Sequence, residues 1–231
     1  MLLPKSANMI FTFAIISLFQ FRLTFGQDQP AGRDNRLINK IQATDGFIAL
    51  WKFDEKPGAV RNAIGKNKFP LEEGNGKIER MNEGPVSGFS IKLDGTNYLS
   101  LPNAGTGDLN IYGDNGEVTM VAWVKWTGEQ TGFVGGMWNE TTDGGRRQYG
   151  LFISLPYYNG NDQVCGHISK TGKPTPPFPY SIDYSASKQE VPAGQWSCVA
   201  FTYDGHYIRS YYNGLAEGRT TRAWSRRGLR W

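Results

Sequence analysis

One Gly/Asn/Asp-rich segment places oxygen-bearing side chains at alternating positions, in the order D-L-N-I-Y-G-D-N-G-E. Calcium takes about six to eight oxygen ligands, so Asp108, Asn110 and Asp114 are candidate metal ligands. Two positions depart from an EF-hand loop, since Tyr112 occupies the fifth position and Thr119 the twelfth, where that loop carries a bidentate glutamate. An Asx-rich turn leading into a strand explains the same residues. Both interpretations stay open, and the sequence indicates no cofactor other than calcium.

Carboxylate pairs that could hydrolyse a glycosidic bond are not apparent. Such sites need two carboxyl groups about 5–10 Å apart. Glu72 and Glu73 are adjacent, so in a strand their side chains would point to opposite faces. Other acids, Glu129, Glu140 and Asp143, are scattered over loop-like segments. The sequence also has no H-E-x-x-H, nucleophile-elbow or phosphate-loop motif, so no catalytic residue is assigned and a non-enzymatic function is predicted.

Aromatic side chains beside polar ones suit carbohydrate, because sugars present apolar C–H faces next to hydroxyl groups. Trp138 and Asn139, followed by Asp143, and the turn that contains Tyr157 and Tyr158 lie in predicted loops or at strand ends. We take these five residues as candidate carbohydrate-binding groups. Packing against an edge of the fold is the alternative for each aromatic residue.

The net charge of +4 comes from one end of the chain. Residues 215–231 contain five arginines and one glutamate, so the charges of everything before them sum to zero. The rest of the chain therefore has no basic stripe, and nucleic-acid binding is not predicted.

The first residues have the pattern of an export signal. Lys5 supplies a positive charge, residues 9–21 form a mostly apolar run, and Thr24 and Gly26 place small side chains before a cleavage point. The run is shorter than the roughly 20 residues that a spanning helix needs. Residues 1–26 are therefore predicted to be a signal peptide, so that the protein meets a membrane only during export and is then secreted, periplasmic or extracellular. An uncleaved membrane anchor is the alternative.

Short β-rich runs separated by Gly, Pro, Asn and Asp indicate an all-β fold. The clearest case is 196–214, where two such runs are joined by D-G-H and closed by N-G, as in a hairpin. Residues 117–126 predict a long strand, and 89–101 predict a hairpin that turns at Asp94. Roughly nine short strands favour a two-sheet antiparallel sandwich. A polar spacer, 27–45, precedes this domain.

Five motifs occur in a characteristic order: W-K-F-D, L-D-G-T-N-Y-L-S-L-P, V-T-M-V-A-W-V-K, W-S-C-V-A-F-T-Y-D-G and Y-Y-N-G. They lie at 51–54, 93–102, 118–125, 196–205 and 211–214. In this order they resemble the laminin G-like jelly-roll domains of the concanavalin A-like lectin/glucanase superfamily. The resemblance covers about 46–214 and implies an all-β, two-sheet antiparallel jelly-roll sandwich.

The same resemblance implies a function. It points to an exported, non-catalytic module that binds carbohydrate or a cell-surface or matrix glycan, with a glycan or an extracellular protein as the partner. A structural or adhesive protein–protein interaction module is the alternative. A glycoside hydrolase is a distant third, because the E-x-D-x-x-E strand of the glucanase branch is missing.

The resemblance also bears on the two cysteines and on calcium. Neighbouring strands of a jelly roll often pair, which implies a disulfide between Cys165 and Cys198, as is common in exported proteins. Two buried free thiols are the alternative. Many related domains bind calcium, which adds Asp54 and Asp94, at element ends, to the candidate ligands.

Residues 215–231 depart from the family pattern. Jelly rolls normally continue through strands that return beside the first one, and these residues have no period-2 apolar pattern. We therefore expect a fold that lacks its last strands, and a basic tail that is not native to the domain. A functional basic tail that binds an acidic partner is the alternative. On the first view the chain folds only marginally, and deletion of 215–231 leaves its stability unchanged.

Overall fold

The computed structural model of the protein describes residues 9–16, 35–58, 60–111, 116–128, 131–139, 146–155, 160–169, 171–173, 183–216, 218–219 and 221–222. Within these ranges the chain forms one α-helix, two short 3-10 turns and a series of β-strands. The helix is α1 (Asn35–Gln42). The strands of the first half are β1 (Met9–Ile16), β2 (Ala49–Trp51), β3 (Ile64–Gly65), β4 (Glu72–Gly74), β5 (Glu79–Met81), β6 (Ser90–Leu93), β7 (Tyr98–Ser100) and β8 (Val118–Trp126). Those of the second half are β9 (Gly132–Asn139), β10 (Arg146–Leu155), β11 (Gly160–Ile168), β12 (Tyr184–Glu190), β13 (Trp196–Tyr203), β14 (Tyr207–Tyr212), β15 (Leu215–Ala216), β16 (Gly218–Arg219) and β17 (Thr221–Arg222).

The strands form two antiparallel sheets and one small separate pair. The first sheet has ten strands in the order β15-β14-β13-β8-β1-β2-β3, with β6 also beside β1, β5 beside β6 and β17 on β14. The second has five strands in the order β16-β12-β11-β10-β9, and β4 pairs with β7. This arrangement confirms the predicted jelly-roll sandwich.

The core lies between the two sheets because successive side chains of each strand point to opposite faces, and the apolar ones point inward. In β8 the side chains of Val118, Met120, Ala122, Val124 and Trp126 are buried in the main core. Tyr149, Leu151 and Ile153 of β10, together with Val164 of β11, enter the same core from the second sheet. The sheets approach closely, because a Cβ on Gly166 would lie 2.4 Å from that of Phe201. This position therefore needs glycine.

The final hairpin is confirmed. β13 pairs with β14 from Val199 opposite Tyr212 to Tyr203 opposite Ile208. Asp204 closes the turn, since its Oδ1 accepts hydrogen bonds from the backbone N–H groups of His206 (3.0 Å) and Tyr207 (2.6 Å).

The predicted hairpin over 89–101 is wrong in its pairing. The chain does turn at Asp94, but β6 pairs with β5 and β1, while β7 pairs with β4. The turn region was therefore recognised, but the two arms of this segment belong to different sheets. Turn chemistry at Asp94 could not show that each arm finds a partner elsewhere in the chain.

The predicted spacer is partly helical. α1 buries Leu37, Ile38 and Ile41 in a cluster that also contains Leu50 of β2 and Trp123 of β8. Three apolar residues in eight give too short a pattern to stand out in the sequence. We name this group, with Val86 and Cys198, the helix-side cluster.

The predicted disulfide does not form. Cys165 and Cys198 are both free and buried. Cys198 belongs to the helix-side cluster, whereas Cys165 packs on the outer face of the second sheet with Phe152 and Ala186. The core between two packed sheets is about 10 Å thick, while bridged cysteines have Cα atoms less than about 7 Å apart. The strands are close in sequence, but each cysteine points away from the other sheet.

Both ends of the described chain contribute strands. β1 lies within residues 1–26, the predicted signal peptide, and pairs on both of its sides in the first sheet. Cleavage is a processing step and stays a prediction. After Gly214, β15 and β17 pair with β14, and β16 pairs with β12. The described residues 215–216, 218–219 and 221–222 thus form short strands at the edges of both sheets, and the predicted non-native origin of the basic tail stays a prediction.

Candidate functional site

The outer face of the second sheet carries a row of rings that crosses four neighbouring strands. Phe133 and Trp138 come from β9, Phe152 from β10, His167 from β11 and Tyr184 from β12. Phe152 lies between the core residues Leu151 and Ile153 in sequence, so strand alternation directs it away from the core. We call these five residues the aromatic row.

The rings of the aromatic row are in mutual contact. Ring centroids are 5.0 Å apart for Phe133 and Phe152, and 5.6 Å for Trp138 and Phe152. His167 lies 5.0 Å from Trp138, 5.8 Å from Phe152 and 5.6 Å from Tyr184. The planes of Trp138 and Phe152 meet at 82°, the edge-to-face geometry that aromatic pairs prefer. The contacts hold the rings in place without any ligand.

Small residues beneath the rings make this packing feasible. A Cβ on Gly150 would lie 2.7 Å from the ring of Phe152 and 3.3 Å from that of Trp138. Cys165 and Ala186 fill the remaining space around Phe152. The absence of a side chain at Gly150 thus allows the rings of Phe152 and Trp138 to pack close to the backbone of β10.

The row is buried at one end and open at the other. Tyr184 and His167 are buried, Trp138 is half-buried, and Phe133 is 39 % exposed. Among the described residues of the row, Phe133 and Trp138 are the two that are not buried, so an apolar ligand surface can reach the row at the end that they form.

The histidine in the row is neutral. Burial is the main cause that lowers the pKa of His167 from 6.5 to about 3, and the positive charge of Arg147 is the second. Arg147 is itself buried and lies opposite Trp138 in the β9–β10 register. The row therefore combines apolar rings with a neutral imidazole that lies within the electrostatic reach of the buried Arg147.

The predicted carbohydrate residues fall only partly into this site. Trp138 is in the aromatic row, and Asn139 follows it as the exposed last residue of β9, opposite Arg146. Asp143, Tyr157 and Tyr158 lie outside the described residues. The prediction rested on aromatic residues in loops and at strand ends. It therefore did not include four ring-bearing residues that lie within strands, namely Phe133, Phe152, His167 and Tyr184. Alternation within each strand indicates which residues point away from the core, but it does not show that residues of different strands lie next to each other.

The predicted calcium ligands are engaged with neighbouring side chains. Asp108 accepts a hydrogen bond from Asn67 (3.2 Å), and Asn110 accepts one from Gln148 of β10. Asp114 lies outside the described residues. In the part of the chain that the structure describes, no three His, Cys, Asp or Glu side chains are grouped closely enough to hold a metal ion. Calcium binding at these residues stays a prediction.

The two further calcium candidates also have partners. Asp94 Oδ1 accepts hydrogen bonds from the N–H groups of Asn97 (3.0 Å) and Thr96 (2.8 Å) and from the Thr96 hydroxyl (2.7 Å). These bonds, that of Asn97 first, hold the pKa of the Asp94 carboxyl below its usual value. Asp54 forms an ion pair with Lys52 at 2.5 Å. Each carboxylate thus serves its own turn or strand end.

Of the five acids weighed for catalysis, the structure describes the adjacent Glu72 and Glu73. Glu72 is exposed on β4, while the adjacent Glu73 forms an ion pair at 2.9 Å with the fully buried Arg61. Glu129, Glu140 and Asp143 lie outside the described residues. The two described glutamates therefore differ in both face and environment.

Comparison with known proteins places the chain in a family. A laminin G family model, described as the concanavalin A-like lectin/glucanases superfamily, matches residues 93–228, which is more than half of the chain. The match begins at the end of β6 and runs past β17, so it includes the aromatic row. No curated protein and no solved structure gave a significant match. Among the described residues, no helix is long and apolar enough to cross a bilayer. On the two-sheet fold and this match, the chain belongs to the concanavalin A-like lectin/glucanases superfamily, as a laminin G-like domain.

Proposed function

We propose that this protein is an exported, non-catalytic binding module whose ligand is carbohydrate, bound at the open end of the aromatic row. The supporting observation is that a half-buried Trp138 and a 39 % exposed Phe133, both from β9, pack against Phe152 on the outer face of the second sheet. Laminin G-like domains are generally non-catalytic binding modules for glycans or extracellular proteins.

The ring surface at Trp138 and Phe133 suits the apolar C–H face of a sugar. The contacts among the row's rings fix their positions, so little side-chain entropy is lost on binding. Asn139, the exposed last residue of β9, lies next to Trp138 in the chain and adds a polar side chain at this end of the sheet. A sugar that stacks on the rings and presents polar groups to β9 therefore fits this end best.

Export rests on the composition of the first residues. Lys5, the apolar run 9–21 and the small residues Thr24 and Gly26 have the order of a secretory signal. Laminin G-like domains are typically extracellular, which agrees with that composition. Intact-mass analysis of material exported from cells tests this part of the proposal, and we expect a chain that begins near Gln27.

A glycan-array screen tests the ligand. We expect binding to a restricted set of glycans, and a comparison with and without a calcium chelator tests the predicted role of Asp108, Asn110 and Asp114. Binding to matrix or cell-surface proteins alone would instead favour an adhesive module. Release of new reducing ends from a glycan would contradict a non-catalytic function.

Replacement of one ring tests the location. Trp138→Ala should weaken binding to the best glycan at least about tenfold, or about 1.4 kcal/mol, because a central aromatic anchor is lost. Tyr98→Ala is the matched control, since Tyr98 is 49 % exposed on the separate β4–β7 pair. We expect the control to bind normally. If both variants lost affinity for the glycan equally, or if neither lost affinity, the ligand would bind elsewhere.

A further inference from the structure

β1 is a central strand of the first sheet. All eight of its residues pair antiparallel with β8, from Met9 opposite Trp126 to Ile16 opposite Thr119. Its other side pairs with β2 over Phe13–Ile15 and with β6 over Met9–Phe11. Both edges of the strand are thus engaged along nearly their whole length, by partners far away in the sequence.

Both faces of the sheet are covered where β1 lies. On the core face, Val124, Ala122 and Met120 of β8 are fully or almost fully buried. On the opposite face, the helix-side cluster joins Leu50 of β2 and Trp123 of β8, the two strands that flank β1. Three residues of α1 belong to the same cluster, so buried side chains flank the position of β1 on both faces of the sheet.

Once β1 is removed, its neighbours β8 and β2 cannot easily pair with each other. Neighbouring strands lie about 4.8 Å apart, so β2 and β8 are separated by about 10 Å across β1. Direct pairing of β2 with β8 would require one of them to move by a full strand spacing. That movement would break both the main core and the helix-side cluster, because each spans the two strands.

We propose that the position between β8 and the β2/β6 pair is a strand-acceptor site. In the uncleaved chain it holds the chain's own Met9–Ile16, and removal of the leader opens it to an extended apolar strand of a partner polypeptide. This inference rests on the export part of the proposed function. The backbone N–H and C=O groups of β8, β2 and β6 would supply affinity through ladder hydrogen bonds, as when a peptide adds a strand to a sheet.

The register defines the chemistry of the strand that fits. Positions 11, 13 and 15 of the strand pair with Val124, Ala122 and Met120 of β8, which are buried in the main core. Positions 12 and 14 pair with Trp123 and Val121, which belong to or pack against the helix-side cluster. Both sets of partners are apolar, so the occupant is an uncharged, apolar strand of about eight residues.

Cross-linking of the full chain tests the register. Ile10 lies opposite Lys125, which is half-buried and accessible to an oxidant. In Ile10→Cys/Lys125→Cys we expect a disulfide, because directly opposite residues have Cβ atoms within reach. Phe11→Cys/Lys125→Cys is the control, with the first cysteine moved by one residue to the other face. Equal cross-linking in both variants, or none in the first, would overturn the placement of the strand.

Cleavage of the folded full chain tests whether the site holds a strand without a covalent link. A protease site inserted between Gly26 and Gln27 is cut after folding. We expect the fragment 1–26 to co-elute with the domain and to separate only on denaturation. With Thr12→Pro in the same chain the fragment should elute alone, because proline removes a ladder donor. Release of the unsubstituted fragment from a domain that stays folded would overturn the proposal.

Exchange tests whether the site accepts a strand from outside. A labelled synthetic peptide of residues 5–22 is added in excess to the cut protein, with a scrambled peptide as the control. We expect the labelled peptide to replace the bound fragment and the scrambled peptide not to. A fragment that never exchanges would mean a permanent strand and would overturn the acceptor site. Sugar binding and signal-peptide cleavage are measured separately, so failure of the proposed function leaves this result distinct.

Discussion

His167 is a neutral, buried imidazole, and this makes the stability of the protein depend on pH. Its pKa is about 3 in the folded chain and near 6.5 when exposed. Between these values the unfolded chain binds a proton that the folded chain does not. The free energy of unfolding should therefore be highest above about pH 6.5 and fall as the pH decreases, by up to about 1.4 kcal/mol per pH unit.

Chemical denaturation between about pH 5 and pH 7 measures this slope, because most carboxyl groups titrate below that window. His167→Phe should flatten the slope, since it removes the titrating group. The parent chain, measured over the same pH range, gives the reference slope. A slope that survives His167→Phe would assign the pH dependence to another residue.

A substitution at Gly150 tests how closely the aromatic row packs on the backbone of β10. In Gly150→Ala the new Cβ would lie 2.7 Å from the ring of Phe152 and 3.3 Å from that of Trp138. We expect a loss of about 1–3 kcal/mol of stability from overpacking, with weaker glycan binding because Trp138 is displaced. Gly105→Ala is the control, since its Cβ would meet only Leu101 at 3.4 Å. An unchanged unfolding midpoint in Gly150→Ala would contradict this packing.

At the scale of elements, α1 stabilises the first sheet from its outer face. Ile41 is 2 % exposed and packs in the helix-side cluster. Ile41→Ala should lower the free energy of unfolding by about 2–5 kcal/mol, because it leaves a cavity between helix and sheet. Asn39→Ala, at an exposed position of the same helix, should change stability by less than about 0.5 kcal/mol. Similar values for the two variants in urea denaturation would mean that α1 does not dock.

The sequence predicts strands well where alternation is long. β8, β13 and β14 agree with their predicted runs because one of their faces is buried over several periods. α1 was missed because eight residues give only two turns of pattern. β1 lies within the run 9–21 that the sequence assigns to a leader, and cleavage of that leader stays a prediction. A continuous apolar run has no alternation from which a strand could be recognised.

The candidate site could be predicted only in part, for a related reason. Trp138 stood out because it precedes Asn139 near a loop. Phe152, His167 and Tyr184 reach the same row only through the pairing of β10, β11 and β12. The register of a strand depends on partners far away in the sequence. Alternation within one strand therefore predicts which sheet face a residue lies on, but not which residue lies beside it.

For the whole molecule, the strands after Gly214 join the two sheets at their edges. β15 and β17 pair with β14 of the first sheet, and between them β16 pairs with β12 of the second. Buried contacts tie the same two edges together, since the hydroxyl oxygens of Ser185 in β12 and Ser210 in β14 lie 2.7 Å apart. The family match also continues to residue 228. These observations oppose the expectation that 215–231 can be removed without effect.

Deletion of 215–231 should therefore lower the unfolding midpoint and promote aggregation, because it leaves the ladder groups of β12 and β14 open to other chains. A second chain that ends after residue 222 keeps β15, β16 and β17 and should recover most of the loss. Thermal unfolding and light scattering of the two truncations beside the full chain measure both effects. If the chain that ends at Gly214 is as stable and as monomeric as the one that ends at residue 222, the three short strands contribute nothing and the domain closes at β14.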